Sequence, residues 1–174
     1  MYATIFLVIN MELPKRKPTR LKRYDYSQNG YYFVTICTHN KQKILSDITV
    51  GEGFPLPQLT KQGMVAEWYL NKINEKYPYV SVHKYVIMPN HIHAILIIDS
   101  FGRGDPSPTI SNVVGWLKYN ITRQINKLYG VSGNKIFQRS FHDHIIRGQK
   151  DYEMIWNYIE GNPSRWTEDC FYIE

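Results

Sequence analysis

The run VIMPNHIHAILII at residues 86–98 constrains this chain more than any other stretch. It follows the alternating VSVHKY of residues 80–85 and is broken once, by Pro89-Asn90. That pattern spells strand, tight turn, strand: a β-hairpin. Side chains on a strand alternate faces, so His91 and His93 project to the same side. An ordinary half-buried strand residue would explain either histidine alone. Two imidazoles on one face can also hold a divalent cation, if the fold supplies a third ligand from elsewhere.

The remaining elements follow from periodicity and from Gly and Pro. YYFVTICT at 31–38 is β-branched and aromatic and reads as a strand, whereas GEGFPLPQLT at 51–60 reads as loop. From Lys61 to about Tyr77, apolar residues near helical spacing predict one helix with Thr60 as its N-cap. A loop at 99–108 leads to a second helix over 110–128, with Val113, Val114, Leu117, Ile121, Ile125 and Leu128 on one face and Gly130 as the stop. A turn at 132–134 precedes a strand at 142–147, and a third helix runs from Lys150 to about Gly161, ended by Asn162-Pro163. The expected fold is α+β, a mainly antiparallel sheet covered by helices, closest to a ferredoxin-like or RNA-recognition-like (RRM-like) sandwich.

At 174 residues and 43% apolar content the chain suits one domain, and its longest apolar runs are too short to span a bilayer. Cys37 and Cys170 have no metal-type spacing and suggest no disulfide framework, so a reducing cytoplasm is the expected compartment. The apolar residues 1–10 lack the basic start and small-residue cleavage site of a signal peptide, and Met11 behind them reads as the true start. The net charge of +6 is concentrated: Lys15, Arg16, Lys17, Arg20, Lys22 and Arg23 face only Glu12 within residues 11–23. Residues 1–23 therefore read as a basic arm suited to phosphate backbones, or as a solvated tail, and 24–174 as the domain. Arg139 and Arg147, flanking the last strand, are further candidates for nucleic-acid contact.

The last helix carries the second half of the chemistry. Tyr158 and Asn162 are four apart and share a helix face. The Asn162 carbonyl oxygen is a hard donor suited to magnesium or manganese, and with His91 and His93 it would form an open three-ligand site. A phenol of solution pKa about 10 needs a nearby metal or base to act as a nucleophile, and Tyr158 would have one. Attack on a phosphodiester conserves the bond energy in a phosphotyrosine, so strands can be rejoined without ATP. Rivals exist: His142 and His144 form a second His-x-His pair, and Tyr119, Tyr129 and Tyr152 are other helical or helix-end tyrosines. Arg123, four residues beyond Tyr119, suits a phosphate better than a metal.

RLKRYDYSQNGYYFVTICT, VIMPNHIHAILII and FQRSFHDHIIRGQKDYEMIWNYIEGNP, in that order, resemble the successive blocks of single-tyrosine HUH transposases, the insertion-sequence-200-like family. The closest likeness is to the REP-associated tyrosine transposases (RAYT). The resemblance covers about Arg20 to Trp166, with His91, Ile92 and His93 as the His-hydrophobic-His motif. It implies an antiparallel sheet with the histidine strand at its centre, Tyr158 as nucleophile and Asn162 at the third ligand position, where many relatives have Gln. It further implies a magnesium- or manganese-dependent enzyme, monomer or homodimer, located in the cytoplasm at the nucleoid. Such an enzyme cuts and rejoins single-stranded, hairpin-bearing DNA through a 5′-phosphotyrosine.

Two other classes compete. A binding module would use the basic arm on structured single-stranded nucleic acid without chemistry. A histidine-triad hydrolase would need a third histidine two beyond the second, where Ile95 stands. A rolling-circle initiator would share the histidine pair, but such proteins usually carry further domains.

Overall fold

The computed structural model describes residues 25–48, 56–99 and 108–173. The basic arm, residues 1–10 and Met11 lie outside these, as does most of the loop at 99–108.

In chain order the elements are β1 (Gly30–Cys37), β2 (Ser46–Asp47), β3 (Gln58–Leu59), α1 (Lys61–Asn71), α2 (Ile73–Lys76), β4 (Val80–Ile87), β5 (His91–Ile98), α3 (Ile110–Leu128), β6 (His142–Ile146) and α4 (Gln149–Gly161). The four long strands form one sheet in the order β4-β5-β1-β6, with antiparallel neighbours throughout. Helical segments connect β1 to β4 and β5 to β6, so this is the expected ferredoxin-like α+β sandwich. The histidine strand β5 is interior to the sheet.

The two faces of the sheet are built from alternate residues. On one face Val34, Ile36, Ile92, Ala94 and Leu96 pack under Ala66 and Leu70 of α1 and the stripe Val113, Val114, Leu117, Ile121 and Ile125 of α3. On the other, Thr35 lies opposite His93 on one side and His142 on the other, and Phe33 lies opposite Ile95 and His144. There α4 closes a smaller apolar cluster of Ile95, Ile146 and Ile159, edged by Phe33, Val86 and Tyr158. The β4 register shifts between Val82 and Lys84, which lets Val86 join the His93 face beyond the irregularity.

Two sequence expectations are corrected. The helix expected from 61 to about 77 is broken at Lys72 (φ −100°, ψ 5°), which ends α1; Ile73 is still buried, and this carried the apolar periodicity through the break. The loop expected at 51–60 contains β3, which pairs with β2. This small ladder stands behind the β4–β5 turn: Leu45 N–H donates to Pro89 O at 3.0 Å, and Ser46 Oγ to Ile87 O at 2.8 Å. Thr60 caps α1 by accepting from Gly63 N–H, and buried Gly63 lies against Leu45 O, where a Cβ has no room. At the other end of the chain, α4 runs on through Asn162 (φ −61°, ψ −42°) into a 3₁₀ segment, Pro163–Glu168. Trp166 is buried there, and the following residues return to the histidine strand.

Candidate active site

Three stretches far apart in sequence meet on the α4 face. From β5 come His91 and His93, both essentially inaccessible, with ring centroids 4.4 Å apart. From α4 comes Tyr158, whose Oη lies 3.2 Å from His93 Nε2. From the segment after α4 comes Asp169, whose Oδ2 accepts from Tyr158 Oη at 3.3 Å and from Asn162 Nδ2 at 2.7 Å. Phe171 N–H holds the other carboxylate oxygen at 2.7 Å, so Asp169 is fixed at both ends.

The imidazoles are aimed by their neighbours. Asn90 Nδ2 donates to Phe171 O at 2.8 Å, which turns the Asn90 carbonyl oxygen toward His91 Nδ1, also at 2.8 Å. An amide oxygen only accepts, so His91 carries its proton on Nδ1 and presents the Nε2 lone pair inward. His93 Nδ1 lies 2.8 Å from Thr35 Oγ1, which leaves its Nε2 toward Tyr158. Phe171 and Trp166 wall the His91 ring at 4.7 and 6.0 Å between centroids.

Burial sets the charges. It pushes the His91 pKa down to about 3, helped by the Lys41 ammonium. It lowers His93 as well, with His91 adding and Asp169 opposing. Both rings are therefore neutral near pH 7, the form in which imidazole ligates a metal. Tyr158 is pushed up from the ordinary phenol value by burial and then by the Asp169 charge, so unaided it keeps its proton.

The pocket has the makings of a cation site. His91 Nε2 and Asn162 Oδ1 are buried with no hydrogen-bond partner, and such orphaned groups are costly unless something binds them. Ligand atoms of His91, His93 and Asp169 all lie within 4.8 Å of one another. Two imidazole nitrogens with a carboxylate oxygen form a mixed donor set that suits a divalent ion.

Of the residues singled out in the sequence, His91, His93, Tyr158 and Asn162 come together. Asp169 was not singled out: it lies beyond the last periodic segment, and only the helix-ending Asn162-Pro163 hints that the chain turns back. His142 and His144 are exposed, and His144 Nε2 is held by Asp151 at 2.9 Å. Tyr119 is 64% exposed on α3, across the sheet from the cluster. Tyr129 is also exposed, at the end of α3, and Tyr152 Oη bonds His83 Nδ1 at 3.0 Å. Arg139 and Arg147 are exposed at the two ends of β6. Cys37 and Cys170 are free thiols. Among the described residues no helix is long and apolar enough to cross a membrane.

A strand-borne histidine pair thus faces a helix-borne tyrosine on an antiparallel sheet packed by helices, as the resemblance to insertion-sequence-200-like transposases implies. The match to the IS200-like transposase family over residues 26–162 makes this definite: the chain belongs to that family. An uncharacterized protein of Haemophilus influenzae is 30% identical over 95% of this chain and 97% of its own length. A second protein of that organism, provisionally named a REP-associated tyrosine transposase, is 29% identical over 81% of this chain and 74% of its own. Among solved structures, a REP-associated tyrosine transposase bound to a REP hairpin superposes with a TM-score of 0.58 at 24% identity, over 84% of this chain and 74% of that one. A provisionally named transposase from Deinococcus radiodurans gives 0.50 at 16% identity, over 82% of this chain and 95% of that one. These structural likenesses concern the fold.

Proposed function

We propose that this transposase cuts and rejoins single-stranded, hairpin-bearing DNA, with Tyr158 as its nucleophile and a 5′-phosphotyrosine as its intermediate. The observation that carries this reading is the placement of Tyr158 Oη, 3.2 Å from His93 Nε2 and 3.3 Å from the Asp169 carboxylate, beside two orphaned buried ligand atoms. Magnesium or manganese would be held by His91 and His93, with Asn162 Oδ1 and Asp169 as oxygen donors. When bound, such an ion supplies Lewis-acid polarisation of the scissile phosphate.

The side chains divide the remaining work. Asp169 Oδ2, 3.3 Å from Tyr158 Oη, is the anionic acceptor for the phenol proton. Tyr158 Oη forms a bond to phosphorus as the bond to the 3′ oxygen breaks, and that oxygen leaves as a free 3′-hydroxyl after gaining a proton. Rejoining reverses the step with the 3′-hydroxyl of another end, and the proton returns to the phenol. Asn90 and Thr35 act as positioning residues: Asn90 fixes the tautomer and orientation of His91, and Thr35 the orientation of His93. The resemblance to a transposase solved with a REP hairpin supports a hairpin-bearing substrate. The basic arm of Lys15, Arg16, Lys17, Arg20, Lys22 and Arg23, with Arg139 and Arg147, would contact the DNA backbone. A reducing cytoplasm, at the nucleoid, suits its two free thiols and its DNA substrate.

The test is covalent capture. With manganese or magnesium and a single-stranded hairpin oligonucleotide, wild-type protein should form an adduct that survives denaturing electrophoresis, and Tyr158→Phe should form none. Adduct of equal yield from Tyr158→Phe would remove the proposed nucleophile. Tight binding with no adduct from wild type would leave a non-catalytic nucleic-acid-binding protein.

A further inference from the structure

From residue 106 to residue 142 the sequence has no Asp or Glu, yet it holds Lys118, Arg123, Lys127, Lys135 and Arg139. The fold turns this stretch into a groove of about 470 Å³ between α3 and residues 133–139, lined by Tyr119, Arg123, Asn126, Lys135 and Arg139 and by no carboxylate. Its walls are tied together. Lys118 Nζ donates to Gln138 O at 2.6 Å and Arg139 O at 2.9 Å, and Asn126 Nδ2 donates to Asn134 O at 3.1 Å. Arg123, Lys135 and Arg139 are exposed, and among the described residues none is paired with an acid. Tyr119, one helical turn before Arg123, presents a ring that is 64% exposed.

The groove is linked to the candidate active site through the backbone. Residues 136–138 extend the sheet beyond β1: His39 N–H donates to Ile136 O, Thr38 bridges Phe137, and Gln138 N–H donates to Cys37 O. Cys37 lies opposite His91, so the Gln138 backbone is two strand spacings, roughly 10 Å, from the His91 backbone. Arg139 is three residues before His142, which is exposed and lies opposite Thr35, the residue bonded to His93. The groove lies on the α3 side of the sheet, so a strand leaving Tyr158 reaches it by passing round the sheet edge at the start of β6.

We propose that this groove binds the single-stranded DNA flank of the substrate, with Arg123, Lys135 and Arg139 on successive phosphates and Tyr119 stacked on an unpaired base. The proposal rests on the DNA-processing reading above and adds where the flank runs. An acid-free cationic groove is complementary to a phosphate backbone, and an exposed aromatic ring within it needs a base freed from pairing. A duplex offers no such base face.

The experiment uses the full chain in a Tyr158→Phe background, so that no strand is cut. Fluorescence anisotropy would follow a hairpin oligonucleotide with a single-stranded flank, and the same hairpin without it, across a potassium chloride series. Each phosphate contact adds about 0.7 to the steepness of the log–log salt dependence for single strands. The Arg123→Ser/Lys135→Ser/Arg139→Ser variant should therefore lose about 2 from the slope on the flanked hairpin and nothing on the bare one. Tyr119→Ala should weaken flanked binding by about fivefold to 150-fold with the slope unchanged. An unchanged slope in the triple variant, or equal losses on both oligonucleotides, would overturn the proposal. Failure of wild-type protein to form an adduct would refute strand transfer instead, and would leave the slope comparison to judge the groove.

Discussion

Strand β5 serves two faces with alternate residues, and the faces differ in kind. Ile92, Ala94 and Leu96 enter a broad apolar core under α1 and α3. His91 and His93, equally buried, enter a polar cluster under α4, beside a much smaller apolar group. On the first face burial is its own stabilisation, at roughly 25 cal/mol per Å² of apolar surface. On the second it leaves His91 Nε2 and Asn162 Oδ1 unsatisfied, a cost that cation binding would offset. The two faces are equally deep, and what sets the second apart is buried polar atoms left without partners beside a tyrosine and a carboxylate.

The comparison can be broken most severely at neighbouring residues of β5. Ile92→Ala should lower unfolding stability by about 2–5 kcal/mol in urea titration, to the same extent with or without manganese. His91→Ala should act on the other term. Wild type should gain about 2.7 kcal/mol at a manganese concentration one hundred times its Kd, and the variant should gain nothing. A cation-dependent gain that survives in His91→Ala would mean that the ion sits elsewhere. Asn90→Ala tests how the ring is aimed: manganese affinity by calorimetry should fall about 10- to 100-fold, because His91 Nδ1 loses the acceptor that fixes its tautomer. The smallest effect belongs to the core side. Thr109→Ala removes the side chain that accepts from Asn112 N–H at the start of α3 and should cost about 1 kcal/mol with no change in manganese affinity.

What was legible in the sequence follows the same division. The hairpin, β1, α3 and β6 are read from local alternation, caps and glycines, because their signals lie within a few residues of each other. Gly130 at φ +63° stops α3 where its position suggested. The meeting of Tyr158 and Asn162 with His91 and His93 was expected partly from helix spacing and partly from family resemblance. Asp169 was not: no periodic pattern reaches it, and its approach depends on the 3₁₀ segment and on buried Trp166 seating the chain end against β5. The break at Lys72 was hidden because Ile73 keeps the apolar rhythm across it. The β2–β3 ladder was hidden because two-residue strands carry no period.

The most direct test of the account is to locate the covalent bond. After reaction with manganese and a single-stranded hairpin oligonucleotide, nuclease trimming and peptide mass spectrometry should find a nucleotide on the peptide containing Tyr158, attached through the phenol oxygen. A nucleotide attached instead to Tyr119, Tyr129 or Tyr152 would contradict it.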